Sequence, residues 1–357
     1  MDTSLSLVIA RIIATAAKRR ASDIHLSIGN KPIVRLDDSL SELSQENIIT
    51  KDFIAGLIEG MLDDFQRRVL EEKKNISFVY LFEDKIRMRI NIFYQRGAPA
   101  VSMKLIPLQV PSIQDLGLSK AVLAFTDLEY GLVIISGPYG SGRTTTASAI
   151  IEEINKKRSK NIITIEKPIE YIFTNNKSNI EQREIGRDAV SFVEALKYSR
   201  QEDVDIMLIG DNDEEGIVPL ILEFASSGRL VFYIMDALSS VQTIEKFLGK
   251  FGSADQARIN TLFSRTLQGI YVQRLVPRVG GGKIAGEEIL LANSAVQTVI
   301  ASGKVQQLES IIQTSQAEGM ISLDQSLARA VKNGEVSLEI AQEQAIDKQN
   351  LRTMVSG

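Results

Sequence analysis

The feature that most constrains this chain is Gly137-Pro138-Tyr139-Gly140-Ser141-Gly142-Arg143-Thr144, which follows the apolar run Leu132-Val133-Ile134-Ile135 and opens a helical pattern. Glycines in a strand-to-helix turn let backbone N–H groups face a bound phosphate, and the helix that follows offers its positive dipole end. The residues from Gly137 through Arg143, with Thr144 and Thr145, are therefore the candidate nucleotide-binding set. The Thr144 hydroxyl is the candidate magnesium ligand. The pattern calls for lysine where this chain has Arg143, and a planar, delocalised guanidinium is not a conservative stand-in for a compact ammonium. The alternative is a glycine-rich turn that holds no ligand.

Strand-like runs at 131–136, 161–166, 204–209 and 230–235, most of them separated by helical segments, predict a largely parallel sheet covered by helices. From about residue 253 the pattern is mainly helical, interrupted by one hairpin around Val279-Gly280-Gly281-Gly282-Lys283. Ala295–Ile300 reads as a structural helix. Upstream, Leu5, Val8, Ile9, Ile12 and Ile13 predict an opening amphipathic helix that ends near Lys18-Arg19-Arg20. Short strands follow at 24–27 and 32–36, with Asp37-Asp38 as a turn. Residues 51–72 read as one helix with Phe53, Leu57, Met61, Phe65 and Leu70 on its apolar face. Strands at 76–82, 86–94 and 101–106 complete an N-terminal α/β module. In the second of these, Ile86, Met88, Ile90 and Ile92 alternate with Arg87, Arg89 and Asn91. Pro107 and Pro111 then interrupt regular pairing. The reading is an N-terminal domain over 1–107, a linker over 108–117 and a second domain over 118–357.

The net charge of −4 is spread without a basic block, so no nucleic-acid partner is expected. The chain has no cysteine and a single histidine, His25, which removes thiol chemistry and histidine-based triads and metal sites. No apolar stretch is long enough to span a bilayer, and Met1-Asp2-Thr3-Ser4 lacks the basic segment of a signal peptide. The expected location is the cytoplasm.

Several segments, in order, carry a resemblance. They are Ala21-Ser22-Asp23-Ile24-His25-Leu26, the glycine-rich loop, Gly186-Arg187-Asp188 with Ser191-Phe192 and Ala195-Leu196, and Ser227-Gly228-Arg229-Leu230-Val231-Phe232. Together they resemble the type IV pilus retraction ATPases (PilT-like), within the wider type II and type IV secretion ATPases. The resemblance implies a PAS-like N-terminal domain, a RecA-like domain with a helical C-terminus, a hexameric ring, and ATP or ADP with Mg2+ as ligands. It implies as partners other copies of the chain or a related active motor subunit, and an inner-membrane pilus platform protein at the inner face of the membrane. Carried over, Glu166 is the carboxylate that polarises the attacking water and Asp211 holds the Walker B position. Arg89 and Arg96 are nucleotide-reaching arginines, with Lys104 where a third is usual. Two alternatives stand beside these roles: Asp211 as a helix cap, and the strand arginines as a solvated face.

The same resemblance marks departures. Lys167 stands at an aspartate position, Asp213 at an arginine position, and Arg229 and Asp236 at two histidine positions, while Asp211 is one methylene shorter than the usual glutamate. Gathered in one pocket, these changes point to a retraction-motor relative with weak or absent hydrolysis. An active hexameric ATPase is the alternative. Lys167 and Asp213, with signs exchanged, are expected to form an ion pair.

Overall fold

The computed structural model describes residues 3–37, 39–252 and 255–356. Asp38, half of the expected Asp37-Asp38 turn, lies outside the described residues. The chain divides into two compact units, Met1–Gln109 with Glu170–Ile172, and Val110–Ile169 with Phe173–Gly357.

The first unit contains α1 (Thr3–Lys18), β1 (Asp23–Leu26), β2 (Ile33–Leu36), β3 (Ser39–Glu42), α2 (Lys51–Met61), α3 (Asp64–Lys73), β4 (Asn75–Phe82), β5 (Ile86–Gln95) and β6 (Ala98–Ile106). Its strands form an antiparallel sheet in the order β3-β2-β1-β6-β5-β4. Alternation along β5 buries Met88, Ile90 and Ile92 in a core shared with Ile9, Ile12 and Ile13 of α1 and with Ile54 and Leu57 of α2. The expected single helix over 51–72 is two. The Asp63 carboxylate accepts from the Gln66 amide at 2.8 Å, and the Gln66 side chain accepts from the Asp63 amide at 3.1 Å. This reciprocal capping box starts a new helix where apolar spacing alone reads straight through. Phe65, expected on the apolar face, is half exposed in the first turn of α3.

The opposite face of β5 carries the cations. Arg89 donates to Glu170 Oε1 at 3.0 Å and Arg87 to the Glu170 carbonyl at 2.6 Å, while Lys104 on β6 lies 3.8 Å from Glu170 Oε2. Glu170 is buried, so its carboxylate is a charge held by neighbours rather than by water.

The second unit holds α4 (Lys120–Ala124), β7 (Gly131–Gly137), α5 (Arg143–Lys157), β8 (Asn161–Glu166), β9 (Asn179–Glu184), α6 (Phe192–Ser199), β10 (Ile206–Ile209), α7 (Ile217–Ser226), β11 (Leu230–Asp236), α8 (Ser240–Leu248) and α9 (Gln256–Thr266). The hairpin β12 (Leu267–Pro277) and β13 (Lys283–Leu291) follows, then α10 (Ser294–Ala301), α11 (Leu308–Thr314), α12 (Leu323–Lys332), α13 (Leu338–Gln344) and α14 (Lys348–Ser356). The sheet runs β13-β12-β7-β11-β10-β8-β9, parallel except for β13 at one edge.

Burial on both faces explains the unbroken apolar run of β7. Leu132 and Ile134 pack in a layer with Ile221 of α7, Phe247 of α8 and Phe263 of α9. Val133 and Ile135 pack with Ile150, Ile151 and Ile154 of α5. The last helices make a smaller core of Leu323, Leu327 and Leu351 over Val276. Two successive residues of β13 tie the layers down. Glu287 accepts from the Ser119 amide ahead of α4 at 3.0 Å and from the Tyr271 hydroxyl at 2.9 Å, and Glu288 accepts from the Ser240 amide at the start of α8 at 2.6 Å.

Candidate functional site

The parallel strands bring their C-terminal ends to one edge, where β7 becomes the glycine-rich loop. Gly137 has φ of 153°, and a Cβ there would lie 2.3 Å from the Gln273 carbonyl oxygen and 2.4 Å from Ser141 Oγ. Gly142, at φ 88°, ends the loop against the Gln273 side chain and starts α5. Both positions therefore need glycine for space as well as for backbone angle. Pro138 accepts the Ser141 amide through its carbonyl at 3.2 Å, and Gly142 accepts the Thr146 amide at 3.0 Å. Tyr139 and Gly140 form the exposed tip, while Thr144 and Thr145 sit half-buried in the first turn of α5. Inside the loop two side-chain donors, Ser141 Oγ and Arg143 Nη1, are buried without a hydrogen-bond partner among the described residues. Arg143 as a whole is only 8% exposed.

The other nitrogen of that guanidinium is engaged. Arg143 Nη2 lies 3.0 Å from Asp211 Oδ2, just beyond the end of β10. Asp211 caps no helix among the described residues. Glu214 does so instead, accepting from the Phe192 and Val193 amides at the start of α6. Burial pushes the Asp211 carboxyl above its ordinary range, against the opposing pull of Arg143, and the carboxylates of Asp236 and Asp213 add to the rise. Asp236 stands in register with Gly137 on the neighbouring strand, and Lys246 Nζ is 3.8 Å from its carboxylate. Tyr233, one layer deeper, is pushed upward by burial and by Asp211 and Asp213.

Glu166 closes β8 on the same edge. It is buried and accepts from Thr164 Oγ1 at 2.8 Å, so it is no solvent-facing strand end. Gly210, just past β10, runs beside it and donates its amide to the Ile165 carbonyl at 2.8 Å.

Two expectations about this edge are corrected. Among the described residues Lys167 and Asp213 form no ion pair. Both line one cleft with Ser191 and Asn212, but both side chains are exposed, and a solvated pair gains little by closing. Arg229 does not belong to the pocket. It precedes β11, which runs parallel to β7 with Leu230 opposite Gly131, so it sits at the far end of the strand from the loop. There it donates to the Val204 carbonyl and Ser227 Oγ and lies over the Phe224 ring at 5.3 Å. The altered positions are thus not one cluster. Arg89 and Arg96 belong to the first unit, Arg89 with Glu170 and Arg96 at the exposed β5–β6 turn with φ of 49°.

Sequence reasoning missed Gln273 and the anchoring role of Glu170. The signal for Gln273 is a polar residue on a buried period-two face, in the series Gly269, Tyr271, Gln273.

Comparison with known proteins agrees with this architecture. The family model for type II/IV secretion system proteins matches residues 2–354. The type IV pilus retractation ATPase PilT of Pseudomonas aeruginosa is 35% identical over 94% of this chain and 98% of its own length. PilU of the same organism is 27% identical over 97% of this chain and 90% of its own. The crystal structure of the pilus retraction motor PilT with bound ADP matches with a TM-score of 0.84 at 35% identity, covering 96% of this chain and 98% of that one. The Legionella pneumophila ATPase DotB shares the fold, with a TM-score of 0.82 at 19% identity. Among the described residues no helix is long and apolar enough to cross a membrane. The chain belongs to the type II/IV secretion system protein family, within the superfamily of type IV pilus retraction ATPases, and has that fold's N-terminal domain followed by a RecA-like ATPase domain.

Proposed function

We propose that this protein is a nucleotide-binding ring subunit at a pilus or secretion base, with weak or absent ATP hydrolysis. One observation carries the binding: the two buried donors without partners, Ser141 Oγ and Arg143 Nη1, lie in a loop whose glycines and helix start suit an anion. A phosphate group supplies the acceptors those donors lack. The PilT structure with bound ADP supports the same ligand class, ATP or ADP. Magnesium fits the oxygen donors at the loop, with the Thr144 hydroxyl as its protein ligand and phosphate and water as the remaining ones.

Weak hydrolysis follows from how the charges are committed. In phosphoryl transfer the protein contributes positioning and electrostatic stabilisation. Here the loop cation is shared with Asp211, and Asp236 adds negative charge beside the loop. The ring consists of identical chains, as a hexamer, or of this chain with a related active subunit. It docks on an inner-membrane platform protein at the cytoplasmic face. A second reading, an active hexameric ATPase powering retraction or secretion, draws on Glu166, which is buried and held at the same strand edge. Phosphate release separates them. The wild type and Arg143→Lys are expected to turn over little ATP, with recovery only when Asp211→Glu and Asp236→His are added. Magnesium-dependent turnover in the wild type that Glu166→Ala abolishes would establish the second reading. Light scattering that finds only monomer with and without nucleotide would remove the ring.

A further inference from the structure

We infer that Gln273, a residue of the neighbouring strand β12, is the positioning residue that holds the phosphate loop open to its ligand. The inference rests on the nucleotide-binding reading above.

Strand β12 runs parallel to β7 as far as Val272, opposite Ser136. One residue on, at Gly137, β7 ends and the loop turns away, while β12 continues to Pro277 beside β13. Gln273 is the first residue past the shared ladder, and it fills the place that the departing chain leaves. Gln273 is 3% exposed. Its Nε2 donates to the Ser141 carbonyl at 2.7 Å and its Oε1 accepts from Thr146 Oγ1 at 2.6 Å. The orientation of the amide is forced, because a carbonyl can only accept and so must face the nitrogen. One side chain thus bridges the middle of the loop to the first turn of α5.

This bridge decides which way the loop amides face. With the Ser141 carbonyl drawn outward to Gln273, the peptide unit that joins Ser141 to Gly142 is fixed, and the loop concavity keeps N–H groups rather than a carbonyl. The close contacts agree. The Gln273 backbone oxygen lies 2.3 Å from where a Gly137 Cβ would be, and its Nε2 lies 2.9 Å from where a Gly142 Cβ would be. The backbone and side chain of Gln273 therefore mould both ends of the loop. Without the amide, the Ser141 carbonyl and the Thr146 hydroxyl are left buried and unpaired, and rotation of the peptide toward the ligand becomes their relief. That rotation places a carbonyl against phosphate.

The test is titration of the full-length protein with fluorescent ADP in magnesium, at a temperature where melting curves show every variant folded. Wild type is expected to bind. Gln273→Met, which keeps length and volume but loses both hydrogen bonds, is expected to bind at least tenfold more weakly. Gln273→Glu is expected to lose more, since it cannot donate to the carbonyl and adds negative charge. A Gln273→Met protein that melts lower yet binds ADP as tightly as wild type would show a packing role only and overturn the inference. Thr146→Val, nearly isosteric, is the second variant where Gln273→Met fails to fold. It frees one end of the bridge and is expected to weaken ADP several-fold, with unchanged affinity counting against the inference. Absence of ADP and ATP binding by the wild type would overturn the nucleotide reading itself, a result distinct from unequal binding among variants.

Discussion

Arg143 and Asp211 form an ion pair at 3.0 Å across the C-terminal edge of the sheet, joining the first residue of α5 to the residue group that follows β10. One partner is almost fully buried and the other is 45% exposed on its side chain. The pair is therefore screened on one side only, and its worth lies between that of surface and buried pairs. A double-mutant cycle with Arg143→Ala and Asp211→Ala is expected to give a coupling of about 0.5–1.5 kcal/mol in denaturant unfolding. Additive losses would show that the two side chains act independently.

The loop glycines are expected to differ in a predictable order. Gly137→Ala places a Cβ 2.3 Å from a backbone oxygen and should destabilise the protein by about 3 kcal/mol or more. Gly140→Ala meets nothing within 4 Å and faces only its left-handed φ of 79°, a penalty of about 1–2 kcal/mol. Thermal melting of the two variants gives the ranking directly.

Burial raises the carboxyls of Glu287 and Glu288 above the ordinary glutamate range, with hydrogen bonds from Ser119, Tyr271 and Ser240 pulling the other way. For an acid whose folded value is raised, the contribution to stability is complete below the unfolded value of about 4.3 and is lost as pH climbs through the folded value. Glu287→Gln keeps an acceptor for Ser119 and Tyr271 while removing the titration. Its melting temperature relative to wild type is therefore expected to improve from pH 4 to pH 8. A gap that stays constant over this range would contradict the assignment.

In the N-terminal unit, Glu170→Ala leaves Arg89 and Lys104 without their shared carboxylate, while the backbone carbonyl to which Arg87 donates is retained. The expected loss is about 1–2 kcal/mol, from the lost charge-assisted hydrogen bond to Arg89 and the space left by a buried side chain, since Arg89 itself stays partly solvated. Lys104→Ala, whose nitrogen lies 3.8 Å away and is more exposed, should cost less than about 1 kcal/mol. Urea unfolding of both variants tests the difference.

Elements with an apolar face were legible in the sequence, and elements without one were not. The buried strands β7, β8, β10 and β11 were readable because their runs are nearly all apolar. The strands β3, Ser-Leu-Ser-Glu, and β9, Asn-Ile-Glu-Gln-Arg-Glu, lie at sheet edges and carry polar side chains, so periodicity had nothing to detect. The helix break at Asp63 was hidden because apolar spacing continues across it. At the site, the loop was visible as a motif. The partners that shape it were not, since Gln273 is far away in sequence and becomes a neighbour only through strand order. Arg229 shows the converse error: motif alignment grouped it with Asp236, whereas seven residues of strand place them at opposite ends.

Successive side chains on a strand point to opposite faces, so Glu287 and Glu288 serve two different helical layers from adjacent positions. A slip of β13 by one residue would hand each carboxylate to the wrong layer, leaving the Ser119 and Ser240 amides uncapped together. Strand alignment and helix placement are therefore a single choice in this domain. The triple-glycine turn Gly280-Gly281-Gly282 can absorb changes of length only if they leave that alignment untouched.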